Sequence, residues 1–382
     1  MRTELPSSSE VVVVGAGVVG AFTAYRLAQL GHRVVVIDRK EPGLEASGLN
    51  AGSLAVQNKP LALVHLAVEG ALQWERFETD SGRTTHYHRT GGLRVAHDDA
   101  GVARLQAAHR DHTALGLDIE LIDGDEARRR CPALGIDVLA ATWSPYDGHN
   151  DALTAIQSII HAARDAGARL VTRCTVEAIE PRATHVDVRT DHGVARADNV
   201  IVAAGLWSRR LCVNLGVDLP LRVRNNQMMV TAPAPPTLDV LITHARGRLT
   251  LKQVTAGSIL IGGGWPGDGD VVANTKRPNV ASMVGNAQLA TRIVPSLGQL
   301  AVIRSWAGFD GRTGDELPLI GPLPEAPGVW VCTSCYGTYT LGPALADGLA
   351  RWIHDGVRPS LLRGFAPGER EVGDQPAFVR SS

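Results

Sequence analysis

The chain has 382 residues, 44% of them hydrophobic, with 38 basic and 39 acidic side chains giving a formal charge of −1. That length accommodates two domains, and the even mixture of charges leaves no basic footprint for nucleic acid. Five cysteines are too few and too scattered for a disulfide framework, which points to reduced thiols and a cytoplasmic setting. No basic stretch followed by an apolar core opens the chain, so no leader is expected. The longest apolar run is too short, and too broken by glycine, to span a bilayer.

The most informative segment comes first. Four valines, Val11, Val12, Val13 and Val14, read as a buried parallel strand and run into Gly15-Ala16-Gly17-Val18-Val19-Gly20. Residues 21–30 read as the helix that follows, closed by Gly31 and His32. Gly15 permits the tight turn, Gly17 lets the main chain approach a pyrophosphate, and Gly20 lets helix and strand lie close, so phosphates meet a positive helix end. Residues 34–37 give a second strand, and Asp38 at its end is placed to accept hydrogen bonds from ribose hydroxyls. Strand, turn, helix, strand and acid in that order describe a dinucleotide site, with Arg39 next to the acid. The segment Glu45-Ala46-Ser47-Gly48-Leu49-Asn50-Ala51-Gly52-Ser53 favours a flavin over a nicotinamide. Its small and polar residues can carry backbone donors back to a cofactor, where a nicotinamide unit would usually begin another crossover helix.

Further along, strand character marks residues 91–96 and 226–230, and residues 249–254 and 258–262 form a hairpin through Thr255-Ala256-Gly257. Helices are expected at 100–115 and 281–294. The Arg128-Arg129-Arg130 run is the solvated face of a helix near Asp125 and Glu126, and Ala232-Pro233-Ala234-Pro235-Pro236 is a surface loop. Asp147-Gly148-His149-Asn150-Asp151 turns into a helix with Asn150 or Asp151 as its cap. An apolar strand at 200–204 ends in Ala204 and Gly205. Trp306-Ala307-Gly308 and a block from Thr313 to Pro322 precede the strand Val329-Trp330-Val331-Cys332 and the loop Tyr336-Gly337-Thr338-Tyr339-Thr340. The hydroxyl of Thr340 and the ring of Pro343 suit a helix start, whose positive end can stabilise negative charge on a flavin. A polar tail begins near Gly368. Cys332 and Cys335 make one C-x-x-C pair, which is no cluster site, and no metal site is read.

The Ser47, Asn50, Ala51, Gly52 pattern, the strand ending in Ala204 and Gly205, and the block from Trp306 to Thr340 together resemble the D-amino-acid oxidase family of FAD-dependent oxidoreductases. The resemblance implies an α/β fold: a discontinuous Rossmann-like FAD domain at 1–82, 147–221 and 304–363, and an α+β substrate domain with a mainly antiparallel sheet at 83–146 and 222–303. It implies non-covalent FAD held by Gly15, Ala16, Gly17, Val18, Val19, Gly20, Asp38, Arg39, Ser47, Asn50, Ala51, Gly52, Val176, Ala204, Gly205, Gly337, Thr338 and Thr340. The activity implied is oxidation of an amino acid or secondary amine by hydride transfer from the amine-bearing carbon, with most of the reactivity belonging to the cofactor.

The chain departs from the family at substrate-facing positions. Asp310 stands where several relatives place a carboxylate-gripping arginine, so Arg312, Arg304, Arg248 or Lys252 must serve an α-carboxylate, with Arg312 preferred. Alternatively, Asp310 itself selects a cationic substrate, such as an opine or polyamine-like amine, or simply faces a partner group. The Gly-His-Gly run of many relatives reads Tyr336-Gly337-Thr338, leaving Tyr336 or Tyr339 as the pocket hydroxyl. His149 is structural or catalytic, and Lys59 reaches the ring or is exposed. Leu260 replaces the lysine with which sarcosine oxidases of the family promote reaction with oxygen. These departures favour a dehydrogenase that passes electrons to a quinone, a second flavin or an iron–sulfur partner subunit. A peroxide-forming amino-acid or sarcosine oxidase, the catalytic beta-type subunit of a heteromeric opine or hydroxyproline dehydrogenase, an NAD-dependent dehydrogenase and a non-catalytic flavin subunit remain as alternatives.

Overall fold

Strands made of β-branched residues with no polar face must be covered on both sides. Val11, Val12, Val13, Val14, Val34, Val35, Val36 and Ile37 are all buried, and they lie at the centre of an eight-stranded sheet. The computed structural model describes residues 4–333 and 336–369. Cys335 and the residues beyond 369, which include most of the expected tail, lie outside the described residues. The chain divides into two compact units. The first draws on the described residues of Met1–Gly48, Leu153–Arg224 and Asp310–Ser382, and the second on Leu49–Ala152 and Asn225–Phe309.

In the first unit the strands run in the order Ile320–Pro322, Val329–Cys332, Gly193–Val202, Ser8–Val14, Val34–Ile37, Arg169–Val171. The five from Val329–Cys332 to Arg169–Val171 are mutually parallel. Val14 pairs in register with both Ile37 and Val202, and Ile37 with Val171, so the carboxyl ends of neighbouring strands finish together. That edge is where open parallel sheets bind ligands. Val186–Thr190 and Val176–Pro181 extend the sheet as an antiparallel flap on Gly193–Val202. The apolar core beneath includes Val12, Val35, Val200, Val202, Val329 and Val331.

A second sheet, most of it in the second unit, has the order Val302–Thr313, Leu221–Thr231, Ile259–Gly262, Thr250–Gln253, Leu241–His244, Gly92–Ala96, Ala140–Ser144, Glu120–Asp123. It is antiparallel from Leu221–Thr231 to Leu241–His244 and again from Gly92–Ala96 to Glu120–Asp123, with one parallel pairing between those halves. The expected hairpin forms, with Leu251 opposite Ile261 and Lys252 opposite Leu260. The two expected helices are Asp99–Ala114 and Val280–Ile293, each opened by a side-chain cap: Asp98 accepts from the Gly101 amide and Asn279 from the Ser282 amide.

Three expectations change. Residues 49–82 and 147–152 pack in the second unit, not with the cofactor-binding sheet. The cause is a buried acid: Asp147 accepts from the Val56 amide at 2.7 Å and from Gln57 Nε2 at 2.9 Å, while Gln57 Nε2 also reaches the Gly92 carbonyl at 3.0 Å. The first helix begins at Val18, three residues before the expected start, because the glycine turn is itself the first helical turn. The C-terminal helix spans Thr338–Asp355 with Gly337 as its cap at φ +75°, so Thr340 is no cap and Pro343 sits inside the helix.

Candidate cofactor cradle and substrate-facing groups

The turn after Ser8–Val14 has room for backbone and for nothing else. A Cβ on Gly15, whose φ is +109°, would meet the Ala203 carbonyl oxygen at 2.5 Å, and one on Gly20 would meet the Gly15 oxygen at 2.0 Å. A Cβ on Gly17 would come within 3.0 Å of Ser47 Oγ. Gly17 caps the helix Val18–Gln29 with no side chain of its own, so the positive helix end faces outward from a bare main chain. Ser47 closes the flank, accepting a hydrogen bond from the Val18 amide at 2.9 Å.

Asp38 ties the second strand into the cradle. Its oxygens accept from the Ala16 amide at 2.7 Å and the Lys40 amide at 2.8 Å. Burial raises its pKa, and the two amides oppose the shift. Each carboxylate oxygen has a further lone pair for a ribose hydroxyl. Arg39 lies 3.9 Å from the Trp207 ring centroid and pairs with Glu45 at 3.2 Å. Ala204 is brought against Gly15, whose ideal Cβ would be 3.1 Å from the Ala204 Cα. Gly205 follows at φ +54°, and Val176 opens the strand of the antiparallel flap.

The C-terminal helix shares this neighbourhood. A Cβ on Gly342 would lie 2.8 Å from Val18 Cγ2, so the first turns of the two helices meet. Thr340 Oγ1 is buried there with no hydrogen-bond partner. Bare backbone at one helix start, an orphaned hydroxyl at the other and an acid between two amides fit the pyrophosphate and ribose of FAD.

Arg312, the preferred carboxylate cation, is already engaged. It bonds Asp310 at 2.9 Å, approaches Glu316 at 3.6 Å, and lies 4.9 Å from the Tyr336 ring centroid. Burial raises the Asp310 pKa while Arg312 lowers it. The structure therefore brings Arg312 and Tyr336 together but commits the guanidinium to two acids. Tyr339 is buried in the helix, and Arg304 and Arg248 are exposed.

In the second unit, Asn50, Ala51 and Gly52 lie beside a buried amine that the sequence offers only as one of four candidate cations. Lys252 is 1% exposed and donates to the Asn150 carbonyl at 2.5 Å. An ideal Cβ on Gly52 would lie 3.0 Å from its Nζ, and the Asn150 amide bonds the Gly52 carbonyl. Burial pushes the Lys252 pKa down to about 8. Burial, with Lys252 and His88 nearby, pushes His149 down to about 3, so its ring is neutral at pH 7. Within a strand reading Thr250-Leu251-Lys252-Gln253, a lysine looks solvent-facing; only the tertiary fold covers it. Lys59 is also buried, and its Nζ donates to the Ala55 carbonyl. The tryptophan of Trp306-Ala307-Gly308 donates from Nε1 to the Leu49 carbonyl at 2.8 Å, fixing the start of the Asn50 loop.

Known proteins agree with this geometry. A family model described as FAD dependent oxidoreductase matches residues 10–352. A subunit of the opine oxidase of Rhizobium meliloti is 28% identical over 94% of this chain and 96% of that protein. Glycine oxidase of Geobacillus kaustophilus is 28% identical over 86% of this chain and 88% of its own length. The crystal structure of L-proline dehydrogenase from P. horikoshii superposes with a TM-score of 0.86 at 25% identity, covering 94% of this chain and 96% of that one. No described helix is long and apolar enough to cross a membrane. With the glycine cradle at the carboxyl edge of its parallel sheet, and a family match over nearly its whole length, the chain belongs to the family of FAD-dependent oxidoreductases.

Proposed function

We propose that the chain is the catalytic subunit of a heteromeric dehydrogenase that oxidises the C–N bond of an amino acid or secondary amine. FAD oxidation of such amines is the chemistry of the family, and the cradle formed by Gly15, Gly17, Gly20 and Asp38 is the observation that carries the reading. FAD supplies the two-electron acceptor for the amine-bearing carbon. The chain's residues do the rest. Main-chain amides of the glycine turn other than those of Ala16 and Val18, which Asp38 and Ser47 hold, bind anionic groups together with the start of the Thr338–Asp355 helix, where Gly337, Thr338 and Thr340 lie. Asn50, Ala51 and Gly52 present backbone to the cofactor, and Ser47, Arg39, Val176, Ala204 and Gly205 complete its surroundings. Tyr336 or Tyr339 supplies a hydroxyl to the substrate. Arg312, with Asp310 and Glu316 on it, has little positive charge left for a carboxylate, which favours a substrate carrying a second cationic centre.

End-to-end likeness to one subunit of an opine oxidase supports a companion subunit that takes the electrons, with a quinone as the other acceptor. One observation favours a second reading, a peroxide-forming oxidase. Leu260 lacks the lysine of oxygen-reactive relatives, yet Lys252, directly across the hairpin from it, is a buried amine. The test is anaerobic bleaching of the visible flavin band by D- and L-amino acids, sarcosine, hydroxyproline and opines, followed by air. Bleaching that recovers slowly in air and quickly with a dye acceptor supports the dehydrogenase. Fast recovery in air establishes the oxidase, and a flavin that no amine bleaches refutes both.

A further inference from the structure

A cysteine, an aspartate and a histidine meet on the antiparallel flap of the first unit, away from the glycine turn in sequence. The strands Val186–Thr190 and Gly193–Val202 are joined by the two-residue turn Asp191-His192, with Thr190 paired to Gly193. Against that turn lies Cys174, whose side chain is fully buried. The sulfur, one imidazole nitrogen and one carboxylate oxygen all lie within 4.8 Å of one another, and His192 Nε2 is 3.9 Å from Asp191 Oδ1. Among the described residues this is the one group of three or more such side chains so placed.

The segments that carry the three residues are tied together by backbone. The Cys174 amide donates to the Asp38 carbonyl at 3.0 Å. The Asp191 amide donates to the Thr175 carbonyl at 3.1 Å, and the Thr175 amide returns a bond to Asp191 Oδ1 at 2.7 Å. The His192 amide donates to Thr190 Oγ1 at 3.0 Å. The Cys174 thiol already meets Thr190 and Asp191 through their side chains and His192 through its backbone, and the half-buried His192 and exposed Asp191 give solvent access.

We infer that Cys174, Asp191 and His192 form a Zn²⁺ site, with solvent as the fourth ligand. Thiolate, imidazole and carboxylate together suit zinc and disfavour magnesium or calcium, which want oxygen alone. Bond lengths near 2.3 Å for sulfur and 2.0–2.1 Å for nitrogen place tetrahedral ligand atoms about 3.5 Å apart. The three ligand atoms, within 4.8 Å of one another, must draw closer to reach that spacing. As the metal–sulfur bond forms, the Cys174 thiol proton is released to water, and the oxidation state of sulfur and metal is unchanged. Because the Cys174 amide holds the Asp38 carbonyl, the ion would brace the segment behind the ribose-facing acid.

The test uses the flavin-loaded protein, dialysed against chelator and titrated with Co²⁺ as a spectroscopic stand-in. One equivalent should give tetrahedral d–d bands to the red of the flavin, and Zn²⁺ should abolish them stoichiometrically. His192→Gln, near the surface, should weaken binding at least about tenfold while flavin content and metal-free melting temperature stay unchanged. Cys174→Ala should remove the thiolate-to-cobalt charge-transfer band. Octahedral or absent cobalt bands in the unmodified protein, or His192→Gln binding cobalt as tightly, would overturn the assignment.

Discussion

Replacing Lys252 by methionine isolates the effect of burying an amine. Lys252 is 1% exposed, and burial lowers its pKa from 10.5 to about 8. At 1.36 kcal/mol per unit, that displacement corresponds to about 3 kcal/mol of penalty on the charged form. The sign follows from proton counting. Below about pH 8 the folded and unfolded chains both hold the proton, and the penalty is complete. Between about pH 8 and the unfolded value near 10.5 the unfolded chain binds more protons, so stability rises with pH, and above that range the penalty is gone. Methionine keeps most of the volume and never charges. It also leaves the Asn150 carbonyl without this donor, a cost of roughly 1–2 kcal/mol that is the same at every pH. The stability of the natural protein relative to Lys252→Met should therefore increase by about 2.5 kcal/mol between pH 7 and pH 10. Paired urea-unfolding curves at the two pH values read this directly, because other titrating groups cancel in the difference. A difference that stays flat across that range would refute the buried-amine argument.

Three other substitutions test separate parts of the fold. Gly20→Ala places a methyl 2.0 Å from the Gly15 oxygen, so the turn must open. A loss of about 2 kcal/mol and at least tenfold weaker flavin retention after gel filtration are expected, and full retention would contradict the close-approach reading. Arg312→Met removes the partner of Asp310 and should cost roughly 2–3 kcal/mol at neutral pH. Because burial raises the Asp310 pKa, that cost should shrink as pH falls and the acid takes up a proton; a cost that stays flat from neutral pH down to about pH 5 would argue that Asp310 is solvated. Asp147→Ala strips the acceptor from the Val56 amide and Gln57 Nε2, with an expected loss of about 3 kcal/mol in thermal or urea unfolding. A nearly neutral result would show that water replaces the carboxylate.

The parts of this protein legible in its sequence are those whose geometry is set within a few residues. The valine run, the glycines and Asp38 announce themselves by their order along the chain, and Gly20 has a local cause in the 2.0 Å approach to the Gly15 oxygen, although Gly15 and Gly17 face Ala203 and Ser47 from further away. The Asp99–Ala114 and Val280–Ile293 helices and the Thr250–Gln253 hairpin were legible for the same local reason. What escaped depends on partners far along the chain. Residues 49–82 follow the second strand and its Ser47 loop, yet they join the second unit, where Asp147, ninety residues beyond Gln57, accepts from the Val56 and Gln57 amides. Thr340 reads as a helix cap until Gly337 takes the left-handed conformation that starts the helix earlier. Lys252 alternates with apolar neighbours as a surface lysine would, and only the Asn150 carbonyl and Gly52, both brought from elsewhere, show that it is enclosed. The pattern has a consequence for substrate selection. The cradle proposed for the cofactor is built of backbone and therefore of glycine spacing, which a sequence displays. On the proposed function, substrate recognition would rest on charged side chains whose partners decide their net effect: Arg312 offers a carboxylate little once Asp310 and Glu316 are counted, while Lys252, charged below about pH 8, donates to the Asn150 carbonyl with the Asp151 carboxylate acting on it.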